Sequence, residues 1–309
     1  MKIKHADIKL GYTCNNNCLH CVIADQRERA ILLKGTENRS PAEAAGQLRD
    51  AYDNGCRVVT FTGGEPTLRK DLLSLINEAK KLGFFIGLQT NGRLFSYPKI
   101  AKEFSGLGVR FIIAIHGSSK EEHEAITRTE GSFANTIAGI KNLVALKEGV
   151  TAKIVMSKLN ILSLGRIAEK LLLLGVRDFN WTFPHALGNA RKYAGTLLPR
   201  YGEAIPNLVR AFEAIESSGI EGCGIRTEGI PACFLGKYEG YMSERIYAEF
   251  FDTEVRQLDS EKRDWSRDRV VENKVKFNKC VECRYYNECE GVWKEYPQYF
   301  GEDEFVPVR

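Results

Sequence analysis

Short apolar runs alternate with amphipathic segments over the first 183 residues of the chain. The apolar runs predict six strands, at 7–10, 57–62, 84–88, 109–115, 151–156 and 176–183. The amphipathic segments predict helices at 41–54, 68–82, 97–107, 132–147 and 163–174. Strand–helix alternation without hairpin signals is typical of parallel strands joined by crossover helices. The pattern therefore predicts an α/β fold whose chemistry lies at the carboxyl ends of the strands.

The alternation stops after residue 183. Residues 184–202 are rich in glycine, proline and basic residues, which predicts a loop, and 201–217 predict a helix interrupted near Pro206. The rest of the chain is expected to be irregular. Segment 26–40, between the first strand and the first predicted helix, is rich in charge; we expect it to be mobile and to cover the site.

Composition narrows the class of protein. The 309 residues carry 27% charged and 43% hydrophobic side chains, an ordinary globular balance, with a net charge of +4. That charge predicts no nucleic-acid partner, and no run approaches the roughly 20 apolar residues of a membrane span. The start of the sequence lacks the apolar core of a signal peptide. We therefore expect a cytoplasmic protein with reduced thiols, no disulfide framework and no membrane association.

Three cysteines, Cys14, Cys18 and Cys21, fall within eight residues directly after the first predicted strand. Disulfides between such close neighbours would close small, strained loops and leave one thiol unpaired, so a metal site is favoured. Zinc would need a fourth ligand, and His20 is awkwardly adjacent to Cys21. An iron–sulfur cluster is the alternative, and three local thiolates on a four-iron cluster would leave one iron open.

The spacing C-x3-C-x2-C resembles that of the radical S-adenosylmethionine (SAM) enzymes. The resemblance implies that Cys14, Cys18 and Cys21 hold a 4Fe–4S cluster whose open iron chelates the amine and carboxylate of SAM. It implies that SAM is cleaved to methionine and a 5′-deoxyadenosyl radical, which takes a hydrogen from the substrate. The resemblance covers residues 8–185, and it implies a partial (β/α)6 TIM-like barrel domain over residues 1–200.

Two turns strengthen the resemblance. The second predicted strand runs into Gly63-Gly64-Glu65-Pro66, where a glycine doublet lets the backbone approach a ligand closely. This turn resembles the GGE motif of the family, which implies that Gly63, Gly64 and Glu65 receive the amino group of SAM. The third strand ends in Thr90-Asn91-Gly92, which resembles the TNG segment of the family and implies a polar contact from Asn91 to SAM. Either segment alone would be an ordinary turn.

Three further residues follow from the resemblance. Arg128 stands where the family has an arginine for the SAM carboxylate, which a guanidinium suits through paired hydrogen bonds. His20 stands where an aromatic residue lies near adenine, which implies stacking. Ala114 and His116 replace the usual serine and aspartate, so the usual ribose contact is not carried over. His116 is a candidate catalytic residue that could exchange a proton with the substrate; a strand-end histidine bonded to backbone is the alternative.

The remaining cysteines lie mostly near the C-terminus. Cys280, Cys283 and Cys289 follow the spacing C-x2-C-x5-C, with Cys223 and Cys233 upstream. A structural zinc site could use the same residues. The spacing resembles the SPASM and twitch extensions that follow radical SAM domains. This implies an extension over residues 201–309 with one auxiliary 4Fe–4S cluster, held by Cys233, Cys280, Cys283 and Cys289. Cys223 would be the spare, and Cys56 is predicted to be a buried thiol.

The function implied by this resemblance is hydrogen abstraction from a peptide or protein, with flavodoxin or ferredoxin as electron donor. Crosslinking, thioether formation, epimerisation and oxidation are the reactions expected. The chain starts almost directly on its first strand, which leaves no room for an N-terminal peptide-recognition domain and keeps a small-molecule substrate as the alternative. Two other classes stay open: an electron carrier without SAM chemistry, and a zinc-bound interaction module.

Overall fold

The computed structural model describes residues 2–258 and 262–309. Its main sheet has nine strands in the order β7-β6-β5-β4-β3-β2-β1-β8-β9, all parallel to their neighbours except the short β9. The strands are β1 (Ile3–Lys9), β2 (Val58–Thr62), β3 (Phe85–Thr90), β4 (Val109–Ala114), β5 (Gly149–Val155), β6 (Asp178–Thr182), β7 (Gly224–Glu228), β8 (Phe251–Arg256) and β9 (Arg263–Asp264).

Helices connect these strands and follow them. They are α1 (Ala24–Lys34), α2 (Pro41–Asp53), α3 (Leu72–Lys81), α4 (Pro98–Phe104), α5 (Lys120–Thr127), α6 (Ser132–Ala145), α7 (Leu164–Leu173), α8 (Asn189–Lys192), α9 (Ala194–Leu197), α10 (Tyr201–Glu216), α11 (Ala232–Leu235), α12 (Ser243–Phe250), α13 (Trp265–Val271) and α14 (Tyr296–Phe300). A second sheet pairs β10 (Lys274–Val275) with β11 (Val292–Trp293) in antiparallel fashion.

The two faces of the main sheet differ in chemistry because successive side chains of a strand point to opposite sides. On β1, Ala6 and Ile8 are fully buried in the core shared with the helices. The alternating residues of the same strand are His5, Asp7 and Lys9, and they face the interior of the barrel. The core thus lies between sheet and helices, while the barrel interior is polar.

The predicted α/β fold, a partial TIM-like barrel, is confirmed, and the six predicted strands correspond to β1–β6. A capping box fixes the start of α2: the Ser40 hydroxyl accepts from the Glu43 N–H at 3.2 Å, and the Glu43 carboxylate accepts from the Ser40 N–H at 2.7 Å. No helix in the described ranges is both long and apolar enough to cross a membrane.

Several local expectations were wrong. The loop predicted at 184–202 contains α8 and α9; segment 26–40 includes most of α1, and its predicted mobility and covering of the site stay predictions. The helix α10 runs without interruption past Pro206, its sixth residue. The region after residue 217 is not wholly irregular, since β7 extends the sheet beside β6 and β8 lies parallel to β1. Both strands of the main sheet lie after residue 200, where the sequence analysis placed the start of the C-terminal extension. That domain boundary stays a prediction.

Candidate active site

The three N-terminal cysteines lie in one loop at the carboxyl edge of the sheet, directly after β1. The thiols of Cys14, Cys18 and Cys21 are free and half-buried. The end of α5 holds the middle of this loop, because the N–H of Asn17 donates to the Thr127 carbonyl at 3.0 Å and the Leu19 N–H to the Ile126 carbonyl at 2.9 Å. Asn189 holds the end of the loop. The side-chain amide of Asn189 donates to the Cys18 carbonyl at 3.0 Å, and its backbone N–H donates to the Cys21 carbonyl at 2.8 Å.

Burial sets the protonation state of these thiols. It raises the pKa of Cys14 to about 11, and it raises the pKa values of Cys18 and Cys21 above the ordinary range. The charge of each neighbouring thiolate would raise the pKa of Cys18 further. The three thiols are therefore protonated in the absence of a cation, and a bound metal would have to displace their protons.

The loop offers three thiols as donors. Within the part of the chain that the structure describes, no three His, Cys, Asp or Glu side chains are close enough together to hold one metal ion. The donor set of the loop, three thiols without a carboxylate, suits iron–sulfur chemistry.

The Gly63-Gly64 turn packs directly against this loop. A Cβ added at Gly63 would lie 2.1 Å from the Gly11 carbonyl oxygen, and one at Gly64 would lie 2.2 Å from that of Thr13. Gly63 also has φ +128°, a value that L side chains rarely adopt. The N–H groups of Gly64 and Glu65 donate to the Gly11 and Thr13 carbonyls, each at 2.8 Å. The glycines are thus required for the close contact between the two strand ends.

Glu65 joins the ends of β2 and β3. Its side chain is buried, and its Oε1 accepts from the Thr67 N–H at 3.0 Å, the Thr67 hydroxyl at 2.6 Å and the Thr90 hydroxyl at 2.7 Å. Oε2 accepts from the Asn91 N–H at 2.6 Å. Burial raises the pKa of Glu65, and these hydrogen bonds oppose the rise. Oε1 is saturated, whereas Oε2 keeps capacity for one more donor.

Asn91 is buried, and both ends of its side-chain amide are engaged. Its Nδ2 donates to Asn15 Oδ1 at 2.6 Å, and its Oδ1 accepts from the Arg93 N–H at 3.0 Å. Arg93 in turn donates from Nη1 to the Asn15 carbonyl at 2.5 Å and to Asn16 Oδ1 at 2.9 Å. Sequence reasoning missed Asn15 and Arg93, which bind the third strand end to the cysteine loop.

His20 and His116 form a stack with a third histidine, His123. The rings of His20 and His116 meet edge to face at 4.3 Å between centroids, and those of His116 and His123 are parallel at 5.8 Å. His116 Nδ1 accepts from the Val155 N–H at 3.3 Å, and His123 Nδ1 from the His116 N–H at 3.1 Å. Burial lowers the pKa values of His20 and His123 to about 4 and that of His116 far below its ordinary value. All three rings are therefore neutral at pH 7.

Arg128 lies at the rim of the site. It caps α5 in the left-handed conformation, with φ 54°, directly after the Thr127 carbonyl that holds the cysteine loop. Its side chain is exposed and donates from Nη1 to the Tyr193 hydroxyl at 2.8 Å, with the guanidinium 5.3 Å from the centre of that ring. Arg128 thus directly follows the residue that holds the cysteine loop, and its side chain contacts Tyr193.

The barrel interior carries paired charges near its carboxyl edge. Lys153 Nζ on β5 lies 2.8 Å from Glu228 Oε2 on β7, and Lys9 Nζ lies 3.0 Å from Asp7 Oδ1. Burial alone would lower the pKa of Lys153, but Glu228, and more weakly Tyr247 and Asp7, raise it above its ordinary value. The Oδ1 atom of Asn180, between β5 and β7, is buried without a hydrogen-bond partner among the described residues. Sequence reasoning missed this group of residues.

Four of the C-terminal cysteines line one apolar cavity. They are Cys233, Cys280, Cys283 and Cys289, and aromatic and aliphatic side chains such as Phe277, Tyr285 and Phe305 complete the lining. Burial raises the pKa of Cys233 to about 12, and the charges of the other three thiols would raise it further. Cys223 packs against the core elsewhere, and Cys56 is buried, as predicted.

Comparison with known proteins agrees with this geometry. A model of the radical SAM superfamily matches residues 8–171, more than half of the chain. A probable GTP 3′,8-cyclase of Sulfurisphaera tokodaii is 30% identical over 191 residues, which are 60% of this chain and 58% of that protein. The chain thus spans little more than half the length of this relative.

Two solved proteins share the fold over most of the chain. Streptococcus suis SuiB bound to SAM has a TM-score of 0.68 and 15% identity, over 93% of this chain and 72% of SuiB. SuiB bound to its precursor peptide SuiA has a TM-score of 0.67 and 14% identity, over 90% and 63%. The protein anSMEcpe with bound AdoMet and the Cp18Cys peptide has a TM-score of 0.63 and 12% identity, over 99% and 92%.

Proposed function

Because this chain belongs to the radical SAM superfamily, we propose that it cleaves SAM reductively and takes a hydrogen atom from a peptide or protein. One observation carries the proposal: three half-buried thiols share a loop at the carboxyl edge of the barrel, in direct contact with the Gly63-Gly64-Glu65 turn. A 4Fe–4S cluster on Cys14, Cys18 and Cys21 would supply one electron to the sulfonium of SAM and so give methionine and the 5′-deoxyadenosyl radical that abstracts hydrogen.

The residues around the loop suit the two charged groups of SAM. Oε2 of Glu65 can accept one more hydrogen bond, which an ammonium group would donate. Arg128 would bind the carboxylate by leaving the Tyr193 hydroxyl, its hydrogen-bond partner in the structure. Gly63 and Gly64 keep the turn close to the loop, and Asn91 fixes Asn15 within it. The ring of His20 would lie near adenine.

The surroundings of His116 suit a histidine bonded to the backbone at a strand end better than one that exchanges a proton with the substrate. Its ring is buried between two other histidines, it accepts a backbone hydrogen bond, and it is neutral at pH 7. These observations support the structural alternative for this residue.

The C-terminal cavity supports an auxiliary 4Fe–4S cluster. Its four thiols, of Cys233, Cys280, Cys283 and Cys289, match the usual number of cysteine ligands for such a cluster. The lining is apolar and has no carboxylate, which suits a cluster shielded from water. We propose that this cluster binds the substrate or takes an electron from the substrate radical. Such chemistry requires an external electron donor of the flavodoxin or ferredoxin class and reduced thiols, as in the cytoplasm.

The barrel interior offers polar partners for a peptide. Near the carboxyl edge two ammonium groups, of Lys9 and Lys153, are each paired with a carboxylate. A peptide amide needs a donor and an acceptor, such as the free Oδ1 of Asn180. SuiB and anSMEcpe, which have this fold, were solved with peptides. The alternative is a small-molecule substrate, as the name of the cyclase relative suggests.

The test is release of 5′-deoxyadenosine from SAM by anaerobically reconstituted protein with dithionite. We expect release by the wild type and none by Cys18→Ser. Cys223→Ser is the matched control, because it removes a thiol outside both cysteine groups, and it should release as much product as the wild type. A protein loaded with iron and sulfide that releases none would indicate an electron carrier, and zinc without iron would indicate an interaction module.

A further inference from the structure

Arg93 makes a double link between the end of β3 and the cysteine loop. Its Nη1 contacts both the Asn15 carbonyl and the Asn16 side chain, and its backbone N–H holds the Asn91 amide that bonds Asn15. These contacts lie one and two residues after Cys14. The guanidinium therefore has a fixed place beside the segment between the first two cysteines.

The charge of Arg93 is not neutralised by a neighbouring acid. No carboxylate lies within ion-pair distance of it in residues 2–258 or 262–309, and its half-buried guanidinium has an Nε atom without a hydrogen-bond partner there. The guanidinium lies against the loop, because its Nη1 atom is 2.5 Å from the Asn15 carbonyl oxygen and 2.9 Å from Asn16 Oδ1. The same charge helps to lower the pKa of His123.

We propose that Arg93 is a positioning residue that also sets the reduction potential of the cluster at Cys14, Cys18 and Cys21. Reduction adds one electron, from dithionite or a flavodoxin-type donor, and so makes the cluster and its thiolates more negative by one charge. A fixed cation nearby stabilises the reduced form more than the oxidised form, which makes the potential less negative. The inference rests on the proposed function, because it requires a cluster in this loop.

Three variants separate charge from contact. Arg93→Gln removes the charge but keeps an amide that can reach the Asn15 carbonyl, and Arg93→Lys keeps the charge without the planar fork. Arg110→Gln is the control, because Arg110 lies near the amino end of β4, at the opposite edge of the sheet. The full-length, reconstituted proteins are poised at a series of solution potentials, and the EPR signal that shifts on adding SAM is followed.

At a fixed solution potential we expect the ratio of reduced to oxidised cluster to fall about tenfold in Arg93→Gln, or ~59 mV for a one-electron couple. Arg93→Lys and Arg110→Gln should match the wild type. An unchanged potential in Arg93→Gln, or an equal shift in the Gln and Lys variants, would overturn the assignment. If Arg93→Gln binds no iron, the uncharged Arg93→Met takes its place: a similar fall in the ratio supports the charge role, and a wild-type potential refutes it. A wild-type signal that ignores SAM would instead refute the proposed function.

Discussion

A methyl group added at Gly64 would lie 2.2 Å from the carbonyl oxygen of Thr13, the residue immediately before Cys14. The contact involves two backbones, so neither side can move a flexible side chain away. Gly64→Ala must therefore displace the cysteine loop or the turn, at a cost on the order of 1–3 kcal/mol. We expect this variant to retain several-fold less iron at the N-terminal site after reconstitution and desalting.

The control is Gly46→Ala in α2. A Cβ at Gly46 meets nothing within 4 Å, so alanine should stabilise this helix by roughly 0.5–1 kcal/mol and leave the iron content unchanged. Equal iron in Gly64→Ala and Gly46→Ala would contradict the close-packing role of the glycine doublet.

Arg128→Ala should weaken SAM binding without emptying the cluster site. Loss of a hydrogen-bonded charge pair costs about 1.5–3 kcal/mol, which corresponds to a roughly ten- to hundredfold higher SAM concentration for half-maximal 5′-deoxyadenosine release. Tyr193→Phe removes the present partner of the guanidinium, so it should leave this concentration unchanged or lower it. An Arg128→Ala enzyme with wild-type SAM dependence would exclude Arg128 from the carboxylate site.

The number of iron atoms bound per chain tests whether the auxiliary cluster is present. The wild type should bind about eight irons per chain, and Cys280→Ala/Cys283→Ala about four, since each four-iron cluster needs its own set of thiolates. The remaining irons should still respond to SAM, because the N-terminal loop is untouched. Cys223→Ala, outside the cavity, should keep about eight. About four irons in the wild type would mean that the C-terminal cavity holds no cluster.

The histidine stack should make stability depend on pH. Burial lowers the pKa of His123 to about 4 in the folded chain, and an unfolded histidine titrates near 6.5. The neutral folded form is thus fully favoured above pH 6.5, and this contribution is lost as the pH falls towards 4, at up to ~1.4 kcal/mol per pH unit.

His123→Gln keeps an acceptor for the His116 N–H but cannot take up a proton. The difference in unfolding free energy between wild type and variant, from anaerobic urea titrations, should therefore shift in favour of the variant between pH 6.5 and 4. A difference that stays constant over this range would show that His123 is not held neutral.

The strands of the barrel could be predicted from the sequence where their own residues are mostly apolar and buried. Each of the strands β1–β6 overlaps a short apolar run whose side chains are largely buried, which is why their positions were found. The sequences of β7, Gly-Ile-Arg-Thr-Glu, and β8, Phe-Asp-Thr-Glu-Val-Arg, are short and charged, so their strand character comes from pairing with β6 and β1 rather than from their own pattern. The helix α5 was missed for the same reason, since it is mostly polar.

The residues of the candidate site also fall into two groups: those that a local sequence pattern reveals and those that only the fold brings together. Cysteine spacing and glycine turns are local, and they identified the loop and the Gly63-Gly64-Glu65 turn. The contacts of Arg93 with Asn15, and of Lys153 with Glu228, join residues 78 and 75 positions apart, so no local pattern reports them. One signal was available: Lys153 is the single charged residue in the otherwise apolar run of β5. A lone charge in a buried strand marks a polar interior.

The central claim is that SAM binds to an open iron of a cluster held by Cys14, Cys18 and Cys21. Its most direct test is the EPR spectrum of the dithionite-reduced Cys280→Ala/Cys283→Ala protein, in which only the N-terminal cluster would remain. The account predicts that added SAM changes the g-values of this signal, and that S-adenosylhomocysteine, which lacks the sulfonium charge, does not reproduce the same spectrum. A reduced four-iron signal identical with and without SAM would contradict it.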